Sequence, residues 1–115
     1  MTLMRVSWWK DNPSVRQLFT ARFIPEATLD QIQGFNELQR VSSSPQNAVR
    51  FMNEFGNVDV TDLLPRISVP TIILHARDDV AVPFELGREM AALIPNSHFV
   101  PLEAKSHILL EQDQA

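Results

Sequence analysis

Two apolar runs constrain this chain more than any other feature. Pro70-Thr71-Ile72-Ile73-Leu74 leads into His75, and His98-Phe99-Val100-Pro101-Leu102 follows about twenty-five residues later. Between them, Phe84, Leu86, Met90, Ala91, Leu93 and Ile94 recur at helical spacing, and Pro95-Asn96-Ser97 closes that segment. Strand, helix and strand joined by connections this short form a βαβ unit, so the two strands are expected to run parallel. Pro101 has no amide hydrogen, so it weakens the second strand or puts it at an edge.

The residues before this unit carry a different period. Asn12-Pro13 opens a first helical segment that Pro25 closes, with Val15, Leu18, Phe19, Arg22 and Phe23 at helical spacing. Thr28 is placed to cap a second helix, with Gln31 as its capping-box partner, and Leu29, Ile32, Phe35, Leu38 and Val41 form its apolar stripe. Ser44 caps a third helix with Pro45 in its first turn, and the Ser42–Ser44 run is read as that cap. Ala48, Val49, Phe51, Met52 and Phe55 follow, and Gly56 suits a left-handed stop. Phe19, Phe23, Phe35, Phe51 and Phe55 read as helix–helix core before they read as an acyl-binding wall, and Trp8-Trp9 as core packing. Asp59 to Pro65 suits a short helical turn. The expected fold class is therefore α/β, with a helical region over 1–58 and a βαβ part over 59–115.

Composition narrows the function. Of 115 residues 44% are hydrophobic and 21% charged, which is a globular mixture, and the net charge of -4 comes with no basic cluster. Nucleic acid and anionic membrane are thereby disfavoured as partners. There is no Cys, so disulfides, thiolate chemistry and Cys-ligated metals are excluded within this sequence. The N-terminal MTLMRVSWWKDNP does not read as a signal peptide, and no apolar run approaches the about 20 residues of a membrane span. A cytoplasmic location is the resulting expectation. With three Gly, neither G-x-G-x-x-G nor a Walker-type loop is present, and no cofactor is expected.

The chemistry-bearing residues follow the two strands. Asp78 and Asp79 lie just past the first strand, and His107 just past the second. Loops after parallel neighbours open on one sheet edge, so a carboxylate and an imidazole 28 residues apart in sequence can meet there. An Asp that accepts the ring N–H fixes the tautomer and leaves the other nitrogen as a general base. Spacing alone leaves both Asp78 and Asp79 open as that acid or as a solvated loop after the strand. His75 and His98 are assigned structural roles, and Glu111 a local cap or pair. A metal site from His107 with both Asp residues is the weaker alternative, so no metal is expected.

These residues resemble a known family. Asp79-Val80-Ala81-Val82-Pro83 matches the D-x-x-V-P pattern that carries the triad acid in α/β-hydrolases, and His107 matches the base that follows the next strand. Leu64 to Thr71 is similar to the family's approach to the first of these strands. The helical part is similar to the cap inserted over the active site. The likeness extends to hydrolase-like domains attached to bacterial helix-turn-helix regulators and cyclases. It implies a C-terminal portion of that fold, with Asp79 and His107 as acid and base of a Ser-His-Asp triad and ester or similar acyl chemistry. The nucleophile motif G-x-S-x-G is not in this sequence. Ser106 is a poor substitute, because adjacent side chains on an extended segment point apart.

Two expectations result. In one, the chain carries acid and base, is silent alone, and acts on a small-molecule substrate only when another segment supplies the serine. In the other, it is a truncated module that pairs through its exposed sheet edges, as a homodimer or with a complementing hydrolase segment.

Overall fold

The computed structural model describes residues 14–113, so the Asn12-Pro13 opening and the Trp8-Trp9 pair lie outside the described residues. The chain divides into two compact units, residues 1–58 and 59–115.

The first unit holds three helices: α1 (Ser14–Phe23), α2 (Leu29–Ser42) and α3 (Pro45–Phe55). The starts of α2 and α3 follow from capping chemistry. Thr28 Oγ1 accepts the Gln31 amide at 3.3 Å while the Gln31 side chain accepts the Thr28 amide at 2.9 Å, a reciprocal capping box. Ser44 Oγ accepts the Asn47 amide at 3.1 Å, and Pro45 takes the first turn. Gly56 departs from the sequence expectation. It sits at φ -66°, ψ -15°, in the right-handed region, because the chain leaves α3 through a tightened turn in which Asn57 N–H donates to the Glu54 carbonyl.

The apolar stripe expected on α2 is only partly used. Ile32 and Phe35 are half-buried, whereas Leu29, Leu38 and Val41 are exposed. Beside a tilted contact of the Phe23 and Phe35 rings at 6.4 Å, α1 is joined to α2 by polar groups. Thr20 Oγ1 donates to Asn36 Oδ1, Asn36 Nδ2 donates to Gln17 Oε1 at 2.8 Å, and Gln39 Nε2 donates to Thr20 Oγ1 at 2.8 Å. Thr20 is fully buried and Asn36 nearly so, and buried polar groups are tolerated there because each finds a partner. The apolar centre lies instead at Ala48 and Val49 of α3, against Phe19 and Met52. The phenylalanine set is correspondingly split. Phe19, Phe23 and Phe35 are half-buried, while Phe51 and Phe55 stack at 5.7 Å on an exposed face, so these last two are not core. Together the five rings line an apolar cleft of about 650 Å³ within this unit.

The second unit begins with a 3₁₀ turn, Thr61–Arg66, opened by Asp59, whose Oδ1 accepts both the Thr61 amide and hydroxyl. Then come β1 (Thr71–Ala76), α4 (Phe84–Leu93) and β2 (Ser97–Leu102). The strands pair in parallel over their whole length, from Thr71 opposite Ser97 to Ala76 opposite Leu102, and Pro101 lies opposite His75. Among the described residues the sheet has these two strands, which puts the Pro101 strand at an edge. Helix α4 covers one face through Phe84, whose ring meets Phe99 at 5.2 Å, and through Ser97 Oγ, whose one proton is within reach of both the Ala91 and the Ile94 carbonyls. On the strands, Ile72 (66% exposed) and Leu74 (49%) stay uncovered. Among the described residues no helix is long and apolar enough to cross a membrane.

Candidate active site

Strand pairing does not stop where the strands end. Arg77 N–H donates to the Leu102 carbonyl at 2.9 Å and Asp78 N–H to the Ala104 carbonyl at 3.2 Å. These two bonds zip the loop after β1 onto the segment after β2. The next residue along one side is Asp79, and His107 follows three residues after Ala104 on the other.

Asp79 divides its carboxylate between two tasks. Oδ1 accepts the amides of Ala81 (2.8 Å) and Val82 (2.9 Å), an Asx-type closure of its own loop. Oδ2 accepts Nδ1–H of His107 at 2.6 Å. The Asp79 side chain is 2% exposed, while that of His107 is 36% exposed. Burial raises the Asp79 carboxyl and is the largest single influence on it. The Val82 amide, the His107 ring and the Ala81 amide together outweigh that, and hold the carboxyl below its ordinary value. An ionised carboxylate can only accept, so the proton at this contact resides on Nδ1 and the lone pair of the neutral ring is on Nε2.

The other sequence-predicted residues fall elsewhere. Asp78 is exposed. Ser106 is buried, at 3% exposure, and its hydroxyl has no hydrogen-bond partner among the described residues, His107 included. Capping near the C-terminal end falls to Asp113, whose Oδ2 accepts the Leu110 amide at 2.9 Å. Among the described residues no group of three or more His, Cys, Asp or Glu side chains is arranged to hold a metal ion. His75, expected in a structural role, has its Nε2 3.4 Å from Asp79 Oδ2. Four positions separate them, and the turn after β1 folds Asp79 back beneath the strand end, with Asp79 N–H directed at the Ala76 carbonyl. A His within an apolar strand, four residues before the acid, was the available signal. A cavity of about 200 Å³ is bounded by this group together with Leu74, Leu102, Ser106 and Leu109.

No family model matches the chain. Curated relatives and solved structures do. The non-heme chloroperoxidase CPO-A1 of Kitasatospora aureofaciens is 36% identical over 63 residues, covering 54% of this chain and 23% of that protein. The pimeloyl-[acyl-carrier protein] methyl ester esterase of Vibrio cholerae is 27% identical over 121 residues, covering 88% of this chain and 47% of that protein. An esterase from Exiguobacterium antarcticum superposes with a TM-score of 0.73 at 26% identity, over 92% of this chain and 40% of its own.

This chain has the fold of the C-terminal portion of an α/β-hydrolase.

It spans about a quarter to a half of the length of these curated relatives. Within the hydrolase fold, the loops after β1 and β2 lie on the sheet edge where ligands of open α/β sheets gather. The arrangement can accept a proton at Nε2 of His107 and stabilise the resulting imidazolium through Asp79.

The depressed Asp79 carboxyl links stability to pH. Because its folded value lies below the ordinary value of about 3.9, its contribution is complete above that pH and is lost as pH falls through the lower, folded value. Asp79→Asn keeps an oxygen for the two loop amides and removes the titration. Between pH 5 and pH 2 the parent chain is expected to lose more thermal stability than Asp79→Asn, followed by circular dichroism. Parallel losses would contradict the assignment.

Proposed function

We propose that Asp79 and His107 are the acid and base of a serine-type hydrolase site for ester or similar acyl chemistry, completed by a segment that supplies the nucleophile and the oxyanion donors. The observation that carries this reading is the 2.6 Å contact between His107 Nδ1 and a buried carboxylate whose other oxygen is already committed. That geometry serves a base which must take a proton from a hydroxyl and return it to a leaving group. Relatives named as esterases support the acyl class. In this reading the region over residues 1–58 acts as the cap.

The 115 residues by themselves contain no G-x-S-x-G. Alone they are expected to hydrolyse p-nitrophenyl acetate no faster than their own His107→Ala variant. A chimera sets this chain in place of the 40% of the Exiguobacterium antarcticum esterase that it matches. It is expected to be labelled by a fluorophosphonate and to hydrolyse the ester, with His107→Ala reducing the rate by about a hundredfold or more. A folded, labelled chimera whose rate ignores His107 would contradict the reading.

A second reading is favoured by the uncovered strand face. Ile72 and Leu74 are exposed, and the outer edge of β1 is unpaired among the described residues. Such an edge accepts another strand, from a second copy or from a complementing hydrolase segment. Sedimentation of the isolated chain is expected to report a dimer that Leu74→Lys disperses. A monomer at high micromolar concentration would count against self-association.

A further inference from the structure

We propose that His75 is a positioning residue for Asp79: its ring anchors the loop whose amides hold the carboxylate, and so keeps Oδ2 aimed at His107. The inference rests on the acid–base reading above and adds a residue to it. His75 occupies the penultimate position of β1 and is 9% exposed. Its Nε2 is 2.9 Å from the carbonyl oxygen of Val82. A carbonyl only accepts, so the ring donates from Nε2. Val82 is the residue whose own amide donates to Asp79 Oδ1. The peptide chain at Val82 is therefore held from both ends, by the imidazole through its carbonyl and by the carboxylate through its amide.

The ring itself is fixed by its surroundings. Phe84 meets it edge-on at 5.7 Å, and the His107 ring lies at 6.5 Å in a similar T-shaped arrangement. On the α4 side it rests directly on the backbone of Gly87. A Cβ at that position would overlap Nδ1 and stand 3.0 Å from Cγ and 3.2 Å from Cβ of His75. Gly87 is the one buried residue of α4, and its missing side chain is what lets helix and imidazole meet. The result is a closed circuit within thirteen residues. β1 presents the ring, α4 backs it, the ring holds Val82, and Val82 with Ala81 holds Asp79. The separation of 3.4 Å between Nε2 and Asp79 Oδ2 is too long for a good hydrogen bond beside the 2.6 Å contact from His107. His75 thus acts on the acid through the loop rather than by replacing His107.

The test follows the Asp79 carboxyl through its titration by carbon-detected NMR in the whole 115-residue chain. His75→Leu removes the donor and fills the space. It is expected to raise the proton affinity of Asp79 about threefold or more, as the grip of the loop amides loosens. His75→Gln sets an amide nitrogen near the place of Nε2 and is expected to restore most of the parent behaviour. Gly87→Ala, which displaces the ring from the helix side, is expected to act like His75→Leu, and it decides the matter if His75→Leu does not fold. Unchanged Asp79 titration and an unchanged Val82 amide shift in a folded His75→Leu or Gly87→Ala chain would overturn the proposal. His107→Gln separates the two readings. If it leaves Asp79 unmoved while His75→Leu does not, the base assignment fails and the loop anchor stands.

Discussion

The second unit is organised around one buried carboxylate with two obligations. Asp79 satisfies the amides of Ala81 and Val82 with one oxygen and the His107 ring with the other. Buried polar groups are generally paired, and here two loop amides and a ring N–H share one residue. Removing the carboxylate would strand two loop amides and a ring N–H together, at a cost of about 2–3 kcal/mol.

The carboxylate can serve both because of the sheet. Parallel pairing brings the ends of β1 and β2 to the same edge, and the Arg77–Leu102 and Asp78–Ala104 bonds carry the pairing one step into the loops. An antiparallel pair would have sent the two loops to opposite edges. Helix α4 contributes from the third side. It begins directly after Pro83, so the loop that holds Asp79 runs into the helix that backs His75. Topology, loop chemistry and a single glycine thus converge on one carboxyl group.

Much of this was legible in the residues. The strand–helix–strand order followed from spacing alone, and so did the expectation that Asp79 and His107 lie on one edge, because short connections leave no other topology. Thr28, Gln31, Ser44 and Pro45 announced their helices through capping chemistry that is local and therefore readable. What escaped depended on three-dimensional partners. A stripe of Leu29, Leu38 and Val41 looks like core until Thr20 and Asn36 take the helix contact instead. Gly56 fits a left-handed stop by type, yet the turn it enters is right-handed. His75 reads as structural in the sequence, and its approach to Asp79 depends on the turn that folds the chain back after β1. Gly87 gave no sign at all, since a helical glycine reveals its purpose only through the ring packed against it.

The central claim is that Asp79 dictates which nitrogen of His107 holds the proton. Two-bond proton–nitrogen NMR of the imidazole, at a pH where the ring is neutral, reads this directly. The account requires a protonated Nδ1 and a lone-pair Nε2 in the parent chain, with that preference lost or reversed in Asp79→Asn. A parent ring protonated at Nε2, or a tautomer indifferent to the Asn substitution, would contradict it.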